Sequence, residues 1–430
     1  MALAANFLGN ARSRLLPASI PFRFFGAALV FHLLAWLALL AGAADAPHFA
    51  GGLGLPLAAL HLVTLGVLVM TAIGASLQLL PVATRQAVGW PGAVAALWWT
   101  YTPGVALLTT AMAIGQPVLL AAGAAVVVLA LAGYALLLAR NLLGARGMAV
   151  VVVHGWAALC SLLVLLASGV SLAVAYHGHA LFDRGTAVGL HLAFAAYGFM
   201  GLLVLGLSYI LVPMFALAEA PAMRPALASA ATAIAALALG AMASLGIMPT
   251  TLWSLAVVAG LAALVLHVVL MNRALRTGLR PRLGRPFVLV RIGWAGLGAS
   301  LLVALALVHD AAVARLGALF GVLLVGALLS FLLGMLSRIV PFLASMHAQT
   351  GRRGPPLPSA LTAERPLALN YWCHLAALAL LLAAVLADSA GLARAAGLLG
   401  IIGAAAFLRF FVVACQRMRA LPAAAEVPRD

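Results

Sequence analysis

The stretch His61-Leu-Val-Thr-Leu-Gly66-Val-Leu-Val-Met-Thr-Ala-Ile-Gly74-Ala-Ser-Leu-Gln-Leu-Leu-Pro81 decides how this chain must be read. It is apolar almost throughout, and with its flanks it is long enough to cross a hydrocarbon core of roughly 30 Å. It carries two glycines eight apart and a proline seven further on. The same spacing returns as Gly198, Gly206 and Pro213, and again as Gly326, Gly334 and Pro341; the copies lie 132 and 128 residues apart. Each proline opens a similar exit, Pro81-Val-Ala, Pro213-Met-Phe-Ala and Pro341-Phe-Leu-Ala. With Gly near a tenth and Pro near a twentieth of all residues, one window matches by chance about once in two thousand. Three near-equally spaced copies therefore point to internal triplication.

Outward from that stretch the whole chain has the same character. It is 66% hydrophobic and 7% charged, with a mean hydropathy of +1.20, a balance that excludes a soluble 430-residue protein. Twelve apolar segments are expected to span, near residues 24–43, 56–81, 92–114, 117–140, 148–176, 186–215, 226–246, 251–272, 287–308, 312–343, 367–388 and 392–415. None alternates as a strand does, so the expected class is an all-α polytopic membrane protein and not a barrel. The spans divide into three sets of four, with approximate repeats at 20–144, 145–275 and 285–418 in a pseudo-three-fold arrangement. The triple motif falls on the second helix of each set. Its glycines allow a neighbouring helix or a flat ligand to approach closely, and its proline is expected to stop or kink the helix. Residues 273–287 and 347–366 read as irregular loops.

The net charge of +16 would suit nucleic acid, but its placement argues for a membrane. All 24 basic residues are Arg. With the N-terminus inside, twenty-one fall on the inner side, among them Arg12, Arg14, Arg23, Arg280, Arg282, Arg352, Arg353 and Arg429; Arg184, Arg315 and Arg394 fall outside. This is the positive-inside asymmetry, and it puts both termini in the cytoplasm. The lipid bilayer, with its anionic headgroups, is the expected partner, and nucleic acid is not. The N-terminus has no short apolar core with a small-residue cleavage site. Arg without Lys, with abundant Ala, Leu and Gly, suggests a GC-rich bacterial genome and hence the bacterial inner membrane. Cys160, Cys373 and Cys415 lack metal or redox spacing.

All eight acidic residues fall in loops or tails, which argues against a proton pump and against paired-carboxylate catalysis. The polar groups left in the membrane are chiefly imidazoles: His32, His61, His154, His191, His267 and His374. Neutral imidazole is tolerable in hydrocarbon and ligates haem iron and copper. His32 and His154 occupy matching places on the first helices of sets one and two, and His61 and His191 lie near the outer ends of the second helices. His61 precedes its first motif glycine by five residues and His191 by seven. Two residues turn a helix by about 200°, so the rings are expected to face different ways, each second helix bordering two cavities. Ala195 and Gly198, below His191, leave space for a flat macrocycle. The outer-loop pair His177-Gly-His179 has a spacing that binds copper or zinc, and His48, His309 and Asp310 lie on the same side.

Twelve helices, both termini inside, a three-fold repeat and His on helices two and six resemble the haem–copper oxidase subunit I superfamily. His61-Leu-Val-Thr-Leu-Gly66 and its continuation to Pro81 are similar to that superfamily's second helix, whose His binds low-spin haem. Leu205-Gly-Leu-Ser-Tyr-Ile-Leu-Val-Pro-Met-Phe215 and Gly334-Met-Leu-Ser-Arg338 resemble segments of the NnrS-type haem- and copper-containing membrane proteins. The resemblance implies b-type haem at His61 and a looser haem or metal role for His191, with His32 and His154 as inner-side candidates. It also implies copper, a propionate partner in Arg394, and respiratory-chain subunits or a cytochrome or quinol donor as partners. Most binuclear-centre residues are missing. His191 is followed by Leu-Ala-Phe-Ala-Ala, where the oxidases carry a His-Pro-Glu/Asp-Val-Tyr-like run, and residues 226–246 contain no His pair. The implied role is respiratory electron transfer or nitric-oxide and nitrosative-stress handling, without a complete oxygen-reducing centre. Two alternatives stand beside it. One is a small-solute or gas transporter lined by Thr64, Gln78, Thr100, Tyr101, Ser208 and Tyr209. The other is a non-enzymatic assembly or scaffold subunit of a respiratory complex.

Overall fold

The computed structural model describes residues 16–86, 90–279, 283–309, 314–348 and 355–420. Arg12, Arg14, Arg280, Arg282, Arg352, Arg353 and Arg429, and Asp310 with them, lie outside the described residues. Among the described residues there is no strand. The long helices are α1 (Ser19–Ala41), α2 (Leu55–Thr84), α3 (Pro91–Ile114), α4 (Pro117–Leu143), α5 (Ala149–Val174), α6 (Arg184–Ala216), α7 (Met223–Ser244), α8 (Pro249–Arg276), α9 (Arg285–His309), α10 (Ala314–His347), α11 (Glu364–Ala387) and α12 (Ala390–Ala420). Eleven of these are long and apolar enough to cross a membrane, and the chain is a multi-pass membrane protein. The remaining one, α3, is 24 residues long, but Trp98-Trp-Thr-Tyr-Thr-Pro103 interrupts its apolar run. It packs beside α4 and is tied to α2 by the Tyr101 hydroxyl, which donates to Leu65 O at 3.0 Å.

Short connections make successive helices run in opposite directions. His48, after α1, meets the Asp388 carboxylate, after α11, at 2.6 Å, so those two helices end side by side. Successive helices pack pairwise, α4 lies on α5, α8 on α9, and α12 returns to α1, closing a ring. Inside it stand the three motif helices. Their apolar windows are 67% (α2), 83% (α6) and 67% (α10) buried, against 33–50% for the other spans, which are left to face lipid.

The motif glycines explain how the inner helices seat. A Cβ on Gly74 would fall 2.8 Å from Phe24 Cβ on α1, one on Gly206 2.5 Å from His154 Cβ on α5, and one on Gly334 2.5 Å from the Pro286 carbonyl oxygen on α9. Each inner helix thus presses its second glycine against the helix before it, as small residues do in membrane bundles. Gly198, expected to leave macrocycle space under His191, packs instead on α5, where a Cβ would meet Ser161 at 2.7 Å. The prolines do not end their helices. Three helical residues follow Pro81 and Pro213, and six follow Pro341. Proline removes one N–H and clashes only with the preceding turn, so the helix runs on. It stops where Arg85 and Leu217 turn left-handed, at φ 57° and 53°, with Gln86 N–H and Ala218 N–H donating back to the carbonyls of Pro81 and Pro213.

At the start of α6 the Asp183 carboxylate accepts from Thr186 N–H at 3.0 Å and from the Thr186 hydroxyl. The hydroxyl bond first, then the backbone bond, hold this carboxyl below its usual range. A lowered carboxyl stabilises the fold above its ordinary pKa and loses that contribution as pH falls through the lowered one. An Asp183→Ala variant should therefore melt below the parent at neutral pH, and the gap should close as pH falls below about 3.8. Melting curves from pH 7 to pH 3 check this; a gap that persists in acid would show that Asp183 does not act as a carboxylate cap.

Candidate functional site between α2 and α6

The six intramembrane imidazoles come together in three pairs. His61 of α2 and His191 of α6 have ring centroids 6.3 Å apart at 32°. His154 of α5 and His267 of α8 flank Tyr209 of α6, at 5.5 Å and 5.1 Å. His32 of α1 lies within electrostatic range of His374 of α11. All the rings except His61 and His191 are buried, and those two are half-buried.

The first pair sits where both helices change winding. α2 is α-helical from Leu55 to His61, π-helical over Leu62–Val69 and α-helical again from Met70. α6 repeats this, with an α-helical Arg184–Leu192, a π-helical Ala193–Gly201 and an α-helical remainder. π-helical turns are rare and frequently mark functional sites; α10 has none. The expectation that the two rings face different cavities is corrected here. The rings meet although they stand at different distances from the motif glycines, and both helices are π-wound between the His and the first of those glycines. His32 and His154 belong to different pairs and stand at different levels: Phe24, not His32, faces the second motif glycine of α2 as His154 faces that of α6.

Hydrogen bonding sets what each ring can do. His61 Nδ1–H donates to Leu57 O at 3.0 Å, so Nε2 carries the bare lone pair. This is the usual arrangement of a metal-ligating His, whose second nitrogen is held by a carbonyl. His191 lies against Gly169 of α5, where a Cβ would come 3.3 Å from its ring, and its Nδ1 is buried without a partner. An imidazole pair offering a bare nitrogen and an orphaned one suits an iron centre, with no negative charge required nearby.

The other candidates fare differently. His32 accepts Trp36 Nε1–H at Nε2 (3.0 Å), which occupies the lone pair an iron would need. His154 Nδ1–H donates to Val150 O at 2.8 Å, leaving Nε2 bare beside Tyr209. Arg394 is exposed in the first turns of α12, at the bundle end where α2 and α6 begin. His177 and His179 are exposed; His177 Nε2–H donates to Pro117 O at 3.2 Å, His48 is turned to Asp388, and His309 to Ser254. No three His, Cys, Asp or Glu gather into a metal-holding group among the described residues. Of the residues named for a transport path, Thr100, Tyr101 and Ser208 give their hydroxyl hydrogens to backbone carbonyls. Sequence reasoning missed Trp36, Ser330 and Gly169, which carry no local signal, and it had no means to foresee the π-helical turns.

No protein-family model matches the sequence, and no curated protein is recognisably similar to it. The fold does have a solved counterpart. A haem–copper terminal oxidase dimer determined by cryo-EM superposes on this chain with a TM-score of 0.64 at 10% identity, over 96% of this chain and 86% of that one. At that identity the likeness is one of fold, and the fold of this chain is similar to that of a haem–copper terminal oxidase.

Proposed function

We propose that this chain is an oxidase-like protein of the bacterial inner membrane that holds one b-type haem between α2 and α6, with His61 and His191 as its ligands. The observation that carries this reading is the 6.3 Å separation of the two rings. Two imidazoles bound to opposite faces of one metal, with metal–nitrogen bonds of about 2 Å, have ring centres about 6 Å apart. The oxidase-like fold supports the same reading. A bound haem would supply a one-electron iron centre. The residues around it would keep that centre dry and fix its ligands: Leu57 O orients His61, and Gly169 seats His191. With His61 and His191 both holding such a group, and without the His-Pro-Glu/Asp-Val-Tyr-like run after His191, the role would be electron transfer or nitrosative-stress handling and not oxygen reduction. Electrons would come from a cytochrome or quinol donor within the respiratory chain. The division into three four-helix sets, both termini cytoplasmic, and a kinship with NnrS-type proteins belong to the same proposal. A protein purified after expression with haem supply should show a Soret band and about one iron per chain. Colourless, metal-free protein from the same preparation would overturn the reading.

A further inference from the structure

The pair His32–His374 lies apart from the proposed haem site, and its hydrogen bonding is incomplete in a specific way. His32 is 1% and His374 2% exposed. Trp36 Nε1–H can only donate, so the His32 Nε2 it reaches at 3.0 Å is a lone pair. The neutral His32 ring must then carry its hydrogen on Nδ1, and that N–H is buried without a partner. On the other ring, Ser330 Oγ lies 2.7 Å from Gly326 O and 2.8 Å from His374 Nε2. A carbonyl oxygen only accepts, so the single hydroxyl hydrogen goes to Gly326, and His374 Nε2 must donate to Ser330. His374 Nδ1 is therefore a bare lone pair, and it too is buried without a partner.

The two orphaned atoms are complementary, one a donor and the other an acceptor. The two rings stand at the same level of the bundle, since α12 meets Trp36 at Gly400 and the His374 backbone beside Gly403. α1 and α11 run in the same direction, their ends joined by His48 and Asp388. Trp36 and Ala377 share one apolar cluster with Ala404 of α12. One turn back from Trp36 stands His32, and one turn back from Ala377 stands His374. Buried polar groups are nearly always satisfied, by ordered water where protein offers no partner. Charge is not called for, because both rings are neutral and already committed on their other nitrogen.

We propose that His32 and His374 form a buried binding site for one amphoteric hydroxylic molecule, a water. It accepts from His32 Nδ1–H and donates to His374 Nδ1. It completes one hydrogen-bonded chain from Trp36 through His32, the water, His374 and Ser330 to the Gly326 carbonyl, and so ties α1 to α10 and α11. A metal ion does not fit this site: His32 Nδ1 carries hydrogen, and its only lone pair is held by Trp36. The site does not depend on the haem reading.

The test is magic-angle-spinning NMR of the full chain, labelled with ¹⁵N-histidine, in lipid bilayers. The expected result is one buried ring protonated at Nδ1 (His32) and one at Nε2 (His374), each nitrogen of the gap showing polarisation transfer from water protons. Trp36→Phe should release His32 Nε2 and let that ring populate both tautomers. Assignment comes from His32→Gln and His374→Gln, or from sequential backbone correlations in the unsubstituted protein where a variant does not assemble. The same protonated nitrogen on both rings overturns the proposal. So does a direct coupling between the two Nδ1 atoms without water contact.

Discussion

Replacing His61 with alanine is expected to remove the visible chromophore, with bound iron falling from about one per chain towards zero. Its Nε2 is the one ring nitrogen of the pair that its own helix has set up as a lone pair, through the Nδ1–H bond to Leu57 O. His191→Ala should weaken retention less and leave a site with one ligand free, shifting the Soret band and letting an added imidazole restore the parent spectrum. Because the two rings lie 6.3 Å apart, a small exogenous base can occupy the vacated place. His154→Ala is the control: that ring belongs with Tyr209 and His267, and the spectrum should not change. If His154→Ala bleaches the protein while His61→Ala does not, the iron lies in the other cluster and the assignment of ligands is wrong. Spectra and iron analysis of the three variants decide this together.

The second large effect is on stability. Alanine at Gly206 would place its Cβ 2.5 Å from His154 Cβ, and at Gly334 2.5 Å from the Pro286 carbonyl oxygen. Neither opposing atom is the end of a flexible chain, so whole helices must separate. Overpacking of this kind costs about 1–3 kcal/mol, against a gain of up to about 1 kcal/mol for replacing a helical glycine. Both variants should be net destabilised, and Gly206→Leu far more so. Gly133 on α4 has nothing within 4 Å of its would-be Cβ, and Gly133→Ala should be neutral or mildly stabilising. Thermal unfolding in detergent gives the ranking. Equal stability of Gly206→Ala and Gly133→Ala would mean that the repeated glycines do not serve close packing.

These two predictions divide the molecule along the line between what periodic composition reveals and what it hides. The spans were legible because a bilayer demands long apolar segments with every backbone group satisfied, and the motif helices stood out by their spacing. α3 was read as a span of the same kind, and its Trp98-to-Pro103 stretch leaves it less apolar than the other eleven long helices. The prolines were given too much weight: their steric effect acts on the preceding turn, and the helices go on past them. The histidines are visible one by one, and His61 and His191 stand out together, but which way each ring faces is not. Register along one helix says which way a ring turns about that helix's axis, and nothing about the axis it will meet.

The sequence by itself determined that this is an all-helical membrane protein, that its glycines and prolines recur three times, and which imidazoles lie in hydrocarbon. Hydropathy and spacing are properties of consecutive residues, so they survive without coordinates. Only the tertiary structure decided that six histidines make three pairs, and which nitrogen of each ring is free. His61 meets His191 across 130 residues because α2 and α6 are packed side by side and rewound by π-helical turns. The free nitrogen of His32 follows from Trp36 one turn on, and that of His374 from Ser330 on another helix. Such pairing depends on how helix axes cross, and crossing is set by the small residues at the contacts, above all the glycines of the repeated motif.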